Sequence, residues 1–293
     1  MNSLPIINIV GCGRVGKTLG KLLHQKQLAQ IQDIVNVTLK SAQQAVNFIG
    51  AGTACQNLES LRSADIYLMT TPDHVIQFIC EQLLTVHIPK VSAMFVQCSG
   101  ILSAAKSMPT AKAKGYQVVS VHPLKSFADP NKSVETFDGT YCALEGNANA
   151  IEKCDTLLTA LGAKTFIVNS KQKALYHAAA VMASNYVVTL HDIAEKTFMH
   201  AGIDKTTATH ITHSLMQGTL NNLENLTAKE ALTGPMYRGE LNTIQQHVMA
   251  LLNYPQLFLA YQALGINTLS LTEHTHQKKH SLLQELKKLP KEN

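Results

Sequence analysis

Residues Ile6–Leu23 read IINIVGCGRVGKTLGKLL. An apolar run stops at a cluster of glycines, and the cluster opens a helix, an order that predicts a strand–turn–helix unit. Gly11, Gly13 and Gly16 stand at the spacing G-x-G-x-x-G, the fingerprint of a turn that receives the pyrophosphate of a dinucleotide. The first glycine permits the tight turn, the second lets the backbone approach the phosphates, and the third lets helix pack closely on sheet. Arg14 and Val15 lie in the same turn, at a helix N-terminus whose free N–H groups and partial positive charge favour an anion.

The same stretch carries a second pattern. Gly11, Gly16, Lys17 and Thr18 satisfy G-x-x-x-x-G-K-[ST], the phosphate loop of nucleoside triphosphatases. Such an enzyme also needs an acid closing a nearby apolar strand, to hold magnesium. The run Ile66–Met69 ends in Thr70-Thr71-Pro72, Phe95–Gln97 ends in Cys98-Ser99-Gly100, and Val118–Val121 ends in His122-Pro123. None ends in Asp or Glu, which favours the dinucleotide. The second strand then decides which one. Its candidate, Ile34–Leu39, ends in Lys40-Ser41 where an NAD site carries an acid. A cation and a hydroxyl suit a ribose 2′-phosphate, so NADP is the expected cofactor.

Composition limits the other possibilities. A chain of 293 residues with 45% hydrophobic and 15% charged residues can build one large or two ordinary domains. The net charge of +5 is mild, and no basic stripe with interleaved aromatics suggests nucleic acid. No apolar run is long enough to span a bilayer. The six cysteines form no C-x-x-C pair and read as buried thiols in a reducing cytoplasm. No signal peptide is expected.

Along the first half, short apolar runs alternate with helical stretches. Strands are predicted at Ile6–Val10, Ile34–Leu39, Ile66–Thr70, Ala93–Cys98, Val118–Val121, Thr140–Glu145 and Lys164–Val168. Helices are predicted between several of them, including Val15–Gln25, His74–Leu84 and Ala148–Leu161. That alternation argues for an α/β fold with a doubly wound parallel sheet, a Rossmann domain over residues 1–169. No strand is predicted after Val168. One uninterrupted helix is expected over Lys171–Ala201, stopped by Gly202, with Asp204 capping the next. Further helices are expected at Ala228–Leu232, Leu241–Ala250 and Pro255–Leu264, the last broken by Gly265, and from Leu269 onward. Residues 170–293 are therefore expected to form an all-helical domain.

Ligands of doubly wound sheets sit beyond the carboxyl ends of the strands, which selects the polar residues there. Thr71 and Pro72 are candidates for the adenosine side of the cofactor, Ser99 and Gly100 for its nicotinamide side. Ser99 equally suits a helix cap. His122, Lys125 and Ser126 in HPLKSF offer a proton carrier active near neutrality, a cation to anchor or polarise a substrate, and a hydroxyl. Lys173 and His177 share a helix face at i,i+4, with Tyr176 beside them and Asn185 further along. Thr233 and Arg238 lie in a Gly/Pro-containing loop, where Arg238 can grip a carboxylate or pair with Glu240. His210 and His213, and His274, His276 and His280, lack the carboxylates or cysteines that support a metal, so no metal is expected.

The stretches GCGRVG, TTPD, QCSG, HPLKSF, YHAAAVMASNY and LTGPMYRGE together resemble a bacterial family of NADP-dependent oxidoreductases whose C-terminal domain has no assigned function. HPLKSF and TGPMYRGE are the specific matches. The family is related to pyrroline-5-carboxylate reductase and the β-hydroxyacid dehydrogenases, whose helical domain is like the C-terminal part of 6-phosphogluconate dehydrogenase. The resemblance implies a cytoplasmic homodimer, paired through the helical domain, with an active site between domains. His177 falls where β-hydroxyacid dehydrogenases place a catalytic lysine, and Tyr186 where pyrroline-5-carboxylate reductase has a tyrosine. Glu240 stands where the family usually shows Asp.

The expectation is an NADP-dependent oxidoreductase that moves a hydride between NADPH and a small C=O or C=N substrate. His122 or His177 supplies the proton; Lys125, Asn185 and Arg238, with Ser126, Lys173 and Thr233, hold the substrate. The alternatives are a non-enzymatic NADP-binding regulator or scaffold and, behind it, a phosphate-loop enzyme.

Overall fold

The computed structural model describes residues 3–87 and 89–288. It divides into two compact units, one up to Ser184 and one from Asn185.

The first unit is built on eight strands: β1 (Ile6–Val10), β2 (Gln30–Val35), β3 (Thr53–Cys55), β4 (Ile66–Met69), β5 (Met94–Gln97), β6 (Gln117–Pro123), β7 (Tyr141–Gly146) and β8 (Lys164–Ile167). Its helices are α1 (Arg14–Gln25), α2 (Leu39–Ile49), α3 (Asp73–Val86), α4 (Ala104–Ser107), α5 (Pro109–Ala113), α6 (Pro130–Glu135), α7 (Ala148–Ala160) and α8 (Lys173–Ala183). The strands form one sheet in the order β3-β2-β1-β4-β5-β6-β7-β8. Chain order reverses at β1, which pairs in parallel with both β2 and β4. A crevice therefore opens beyond the carboxyl ends of these strands.

The sheet is doubly wound but not wholly parallel, because β7 runs antiparallel to β6. After β6 the chain makes a loop and the short α6, then turns back at the same end, where Leu124 N–H donates to the Tyr141 carbonyl at 2.8 Å. Without a crossover to the opposite end, the next strand must run the other way.

Alternating residues of the central strands feed two cores. Ile7, Ile9, Ile66 and Leu68 pack on one face with Leu19, Ile49 and Leu158 from α1, α2 and α7. Tyr67, Met69 and Phe95 pack on the other with Ile76, Leu83 and Met108. Such two-sided burial explains why the strands read as apolar runs.

The predicted second strand was displaced. β2 begins at Gln30 and ends at Val35, so Lys40 and Ser41 do not close a strand; they lie in the first turn of α2, capped by Thr38. The misleading residue is Asp33, an acid only 1% exposed within β2. It accepts hydrogen bonds from the Arg62 backbone at 2.7 Å and from the Arg62 guanidinium. β3, only three residues long, gave no apolar signal and was not predicted.

The long helix is broken. α8 ends at Ala183, Ser184 leaves helical geometry at φ −125° and ψ −67°, and α9 (Asn185–His200) follows. Ser and Asn side chains compete for nearby backbone groups, and no proline or glycine marked the break. The division into units falls there, after α8 rather than before it.

The second unit contains α9, α10 (Lys205–Leu223), α11 (Ala228–Ala231), α12 (Pro235–Arg238), α13 (Leu241–Leu251), α14 (Pro255–Thr268) and α15 (His276–Leu286). Its core gathers Met236, Ile244, Val248, Phe258, Leu282 and Leu286. Asp204 caps α10 as expected, through Thr207 N–H. Gly265 does not break α14. A β-carbon there would stand 3.0 Å from Leu286, so the glycine lets α15 pack closely. The basic terminal helix starts at His276, after a turn of 3₁₀ helix at Leu269–Leu271. Among the described residues, no helix is long and apolar enough to cross a membrane.

Candidate functional site

The three glycines of the opening turn meet different surroundings. Gly11 adopts φ +77° and has no room for a β-carbon, which would press into Thr71. Gly16 is equally closed, by Thr70 Oγ1 and by Cys12 and Ile9, and joins α1 to the sheet. A β-carbon on Gly13 would find only the Gly11 carbonyl, 3.9 Å away. The middle glycine thus faces open space at the start of α1, and no side chain caps that helix. Its first N–H groups are left for a ligand.

That space is a crevice of about 1040 Å³, lined by Gly11, Gly13, Asn36, Ser41, Thr71 and Pro72 among others. Thr70 Oγ1 donates to the Gly11 carbonyl at 2.8 Å, and Cys12 N–H donates to Asn36 Oδ1 at 2.6 Å, fixing the turn. Thr71 Oγ1 is buried and has no partner. A buried hydroxyl rarely goes unsatisfied, so this one suits a ligand group. Arg14 is exposed at the start of α1, Val15 packs against the core, and neither Arg14 nor Lys40 lines the crevice, whereas Ser41 does.

The phosphate-loop pattern fails on Thr18. That residue is fully buried and its hydroxyl donates to the Arg14 carbonyl at 2.8 Å. A phosphate loop needs this hydroxyl on magnesium.

A second cluster forms where β5 and β6 end and α8 begins. His122 Nδ1 lies 2.7 Å from the Tyr176 hydroxyl. The His122 and His177 rings meet edge to face at 5.7 Å. Both rings press on Gly100, where a β-carbon would fall 2.8 Å from His122 Nε2 and closer still to His177 Nδ1. His177 Nδ1 is buried without a partner. Ser120 and His122 share a face of β6, two residues apart.

Burial is the main cause that pulls the His122 pKa down to about 4, with the positive charges of His177 and Lys173 adding to it. The imidazole is therefore uncharged near neutrality, unlike the proton carrier expected from the sequence. Burial also pushes Tyr176 up to about 12, so its hydroxyl keeps its proton. Stability follows from the same shift. Between pH 6.5 and 4 the unfolded chain binds a proton at His122 that the folded protein refuses, so stability falls as pH falls through this window. The loss is on the order of 3 kcal/mol. Thermal melts from pH 7 to pH 4 are expected to show a smaller drop in Tm for His122→Asn than for the natural protein.

Other candidates are engaged elsewhere. The Ser99 hydroxyl donates to Asp73 Oδ2 at 2.6 Å and accepts from Ile101 and Leu102 N–H; it shapes the turn and caps no helix, Ser103 standing at the N-cap of α4. The Lys125 ammonium donates to the Thr136 carbonyl at 2.7 Å, which ties it to the end of α6. Ser126 is exposed. Lys173 is 2% exposed and donates to Ser120 Oγ at 2.6 Å and to the Ser99 carbonyl at 3.1 Å. Asn185, Thr233 and Arg238 belong to the second unit and are exposed. There Arg238 pairs with Glu240, at 2.5 Å from Nε to Oε1. The first unit thus brings together Gly100, His122 and His177. Asn36 and Ser120 were not among the expected site residues, and Tyr176 was noted beside Lys173 and His177 without a role. Ser120 stood two residues from His122 and Tyr176 next to His177, but Asn36 becomes visible only once β2 is placed.

The fold has solved counterparts. Protein TM1727 from Thermotoga maritima matches with a TM-score of 0.71 and 23% identity, over 94% of this chain and 98% of its own. BF3122 from Bacteroides fragilis, an inferred NADP oxidoreductase, matches with a TM-score of 0.74 and 18% identity, over 91% and 98%. A pyrroline-5-carboxylate reductase from Coxiella burnetii matches with a TM-score of 0.58 and 16% identity, over 93% and 100%. No curated protein matches the sequence. Residues 140–268 match the domain of unknown function DUF2520, which takes in β7 and β8 as well as most of the second unit. The chain has a Rossmann-like fold, and its stretch 140–268 is similar to DUF2520.

Proposed function

We propose that the protein is an NADP-dependent oxidoreductase that reduces or oxidises a small C=O, C=N or corresponding hydroxyl or amine substrate beside His122 and His177. The observation that carries this reading is the crevice at the glycine turn, with its uncapped helix, the open side of Gly13 and the orphaned Thr71 hydroxyl. NADPH, when bound, supplies the hydride. The first N–H groups of α1 would hold the pyrophosphate, and Thr71 would satisfy its hydroxyl on the ligand. β2 is followed by Asn36 rather than by an acid, and Ser41 in the first turn of α2 lines the crevice and would donate to a 2′-phosphate. The Ser99–Gly100 turn, just after β5, would face the nicotinamide end of such a cofactor.

The proton passes through His122, which is uncharged at rest near neutrality. His122 is held through Nδ1 by Tyr176 and turns Nε2 toward Gly100. In the oxidative direction the neutral imidazole, its Nδ1–H donated to the Tyr176 oxygen, takes the substrate proton on Nε2 and becomes imidazolium; the reductive direction is the reverse, the imidazolium returning that proton. His177 Nδ1 offers a second acceptor at the same place.

The second unit exposes Val188, Leu190, Leu215 and Leu220, which supports pairing with a second copy; sedimentation is expected to give a dimer. Turnover is tested by mixing the protein with NADPH or NADH and a panel of small keto acids, imines and aldehydes. Oxidation of NADPH with at least one of them, at about tenfold or greater preference over NADH, is expected. Tight NADPH binding without turnover on any would favour the regulator instead.

A further inference from the structure

Lys173 is the first residue of α8 and, among the described residues, the one buried lysine or arginine, 2% exposed. Its two hydrogen bonds go to neutral oxygens: Ser120 Oγ at 2.6 Å and the Ser99 carbonyl at 3.1 Å. Ser120 Oγ in turn donates to the same carbonyl at 3.1 Å. The three groups close a triangle whose corners come from α8, β6 and the end of β5.

Each corner has a part of the candidate site close by in sequence. Gly100 follows Ser99. His122 stands two residues after Ser120, on the same face of its strand. Tyr176 and His177 lie one helical turn after Lys173. Burying an ammonium costs several kcal/mol, and an apolar side chain would fill the space at less cost, but could not bond to both strands.

We propose that Lys173 is the positioning residue of this site: it fastens α8 to the ends of β5 and β6, holds Tyr176 and His177 against His122 and Gly100, and touches no substrate itself. This differs from the substrate contact expected from the sequence, and it rests on the oxidoreductase reading only where turnover is concerned.

The groups facing His122 are Tyr176, His177 and Lys173 from α8 and Asp73 from the start of α3. Removing the ammonium takes away one of the groups that oppose a positive charge on His122 and leaves the Asp73 carboxylate that favours it, so His122 should accept a proton more readily.

Three measurements test the proposal, and none of them needs NADPH. In the natural protein, Lys173 should be acetylated by acetic anhydride about 100-fold or more slowly than the exposed Lys40, since modification requires local opening; equal rates would overturn the proposal. In Lys173→Met, NMR of ¹³C-labelled histidine should show the His122 titration moved up by about one pH unit, and Lys173→Arg should restore it. An unmoved midpoint in a folded Lys173→Met protein contradicts the proposal. Should that variant not fold, Ser120→Ala removes one corner and should speed acetylation of Lys173 by about tenfold; no change counts against it. Given a substrate, Lys173→Met should lower kcat by about 100-fold and leave the KM for NADPH unaltered. A protein that turns over nothing defeats the oxidoreductase reading, while acetylation and NMR still judge the role of Lys173.

Discussion

Gly100→Ala is expected to lower turnover by about 100-fold or more while NADPH affinity stays within about threefold of the natural protein. The backbone at Gly100 is not in the left-handed region, so alanine meets no conformational penalty there. The conflict is local: the new methyl would fall 2.8 Å from His122 Nε2 and nearer still to His177 Nδ1. One or both rings must move, and overpacking of this kind costs about 1–3 kcal/mol of stability. The protein survives that loss, but the two ring nitrogens no longer converge on one point. Displacement of about 1 Å is enough to lose two orders of magnitude in a positioned reaction. Rates and KM values on the substrate found in the panel decide it. Natural turnover in Gly100→Ala would remove both histidines from the reaction.

Gly13→Ala is expected to fold normally and to bind NADPH about 10–100-fold more weakly. Its methyl has free space in the protein, with only the Gly11 carbonyl at 3.9 Å. The space it fills is the one through which the pyrophosphate reaches the start of α1. Gly16→Ala gives the contrast. There the methyl collides with Thr70 Oγ1, Cys12 and Ile9, so the loss is in stability, by about 1–3 kcal/mol. Denaturant melts and nucleotide titrations of the two variants should therefore separate the binding glycine from the packing glycine. If Gly13→Ala binds NADPH as tightly as the natural protein, the nucleotide does not approach that turn.

The parts of this fold that could be read from the sequence are those that depend on neighbours along the chain. The glycine turn, the strands buried on both faces and the Asp204 cap each rest on short spacings. What stayed hidden depends on partners far away. Asp33 is an acid in a strand because Arg62 meets it, and that displaced β2 and with it Lys40 and Ser41. The reversal of β7 comes from where the loop after β6 lies. Ser184 breaks a helix with no proline or glycine to announce it.

The site divides in the same way. His122, His177 and Gly100 were selected from the sequence because strand ends and helix faces carry ligands, and the fold draws them together. Lys125, Lys173 and Ser99 were selected on the same grounds, yet their polar atoms are committed to the Thr136 carbonyl, to Ser120 with the Ser99 carbonyl, and to Asp73. Nothing in a single sequence separates a lysine that waits for substrate from one that ties two strands to a helix. The charge state of His122 was likewise out of reach, since burial and the charges of His177 and Lys173 set it.

Titration of NADPH fluorescence against the natural protein, with Gly13→Ala beside it, tests the central claim most directly. Saturable binding at micromolar concentrations, about tenfold or more weakened by the added methyl, is the predicted result. A natural protein that leaves the NADPH signal unchanged up to millimolar concentrations would contradict the account.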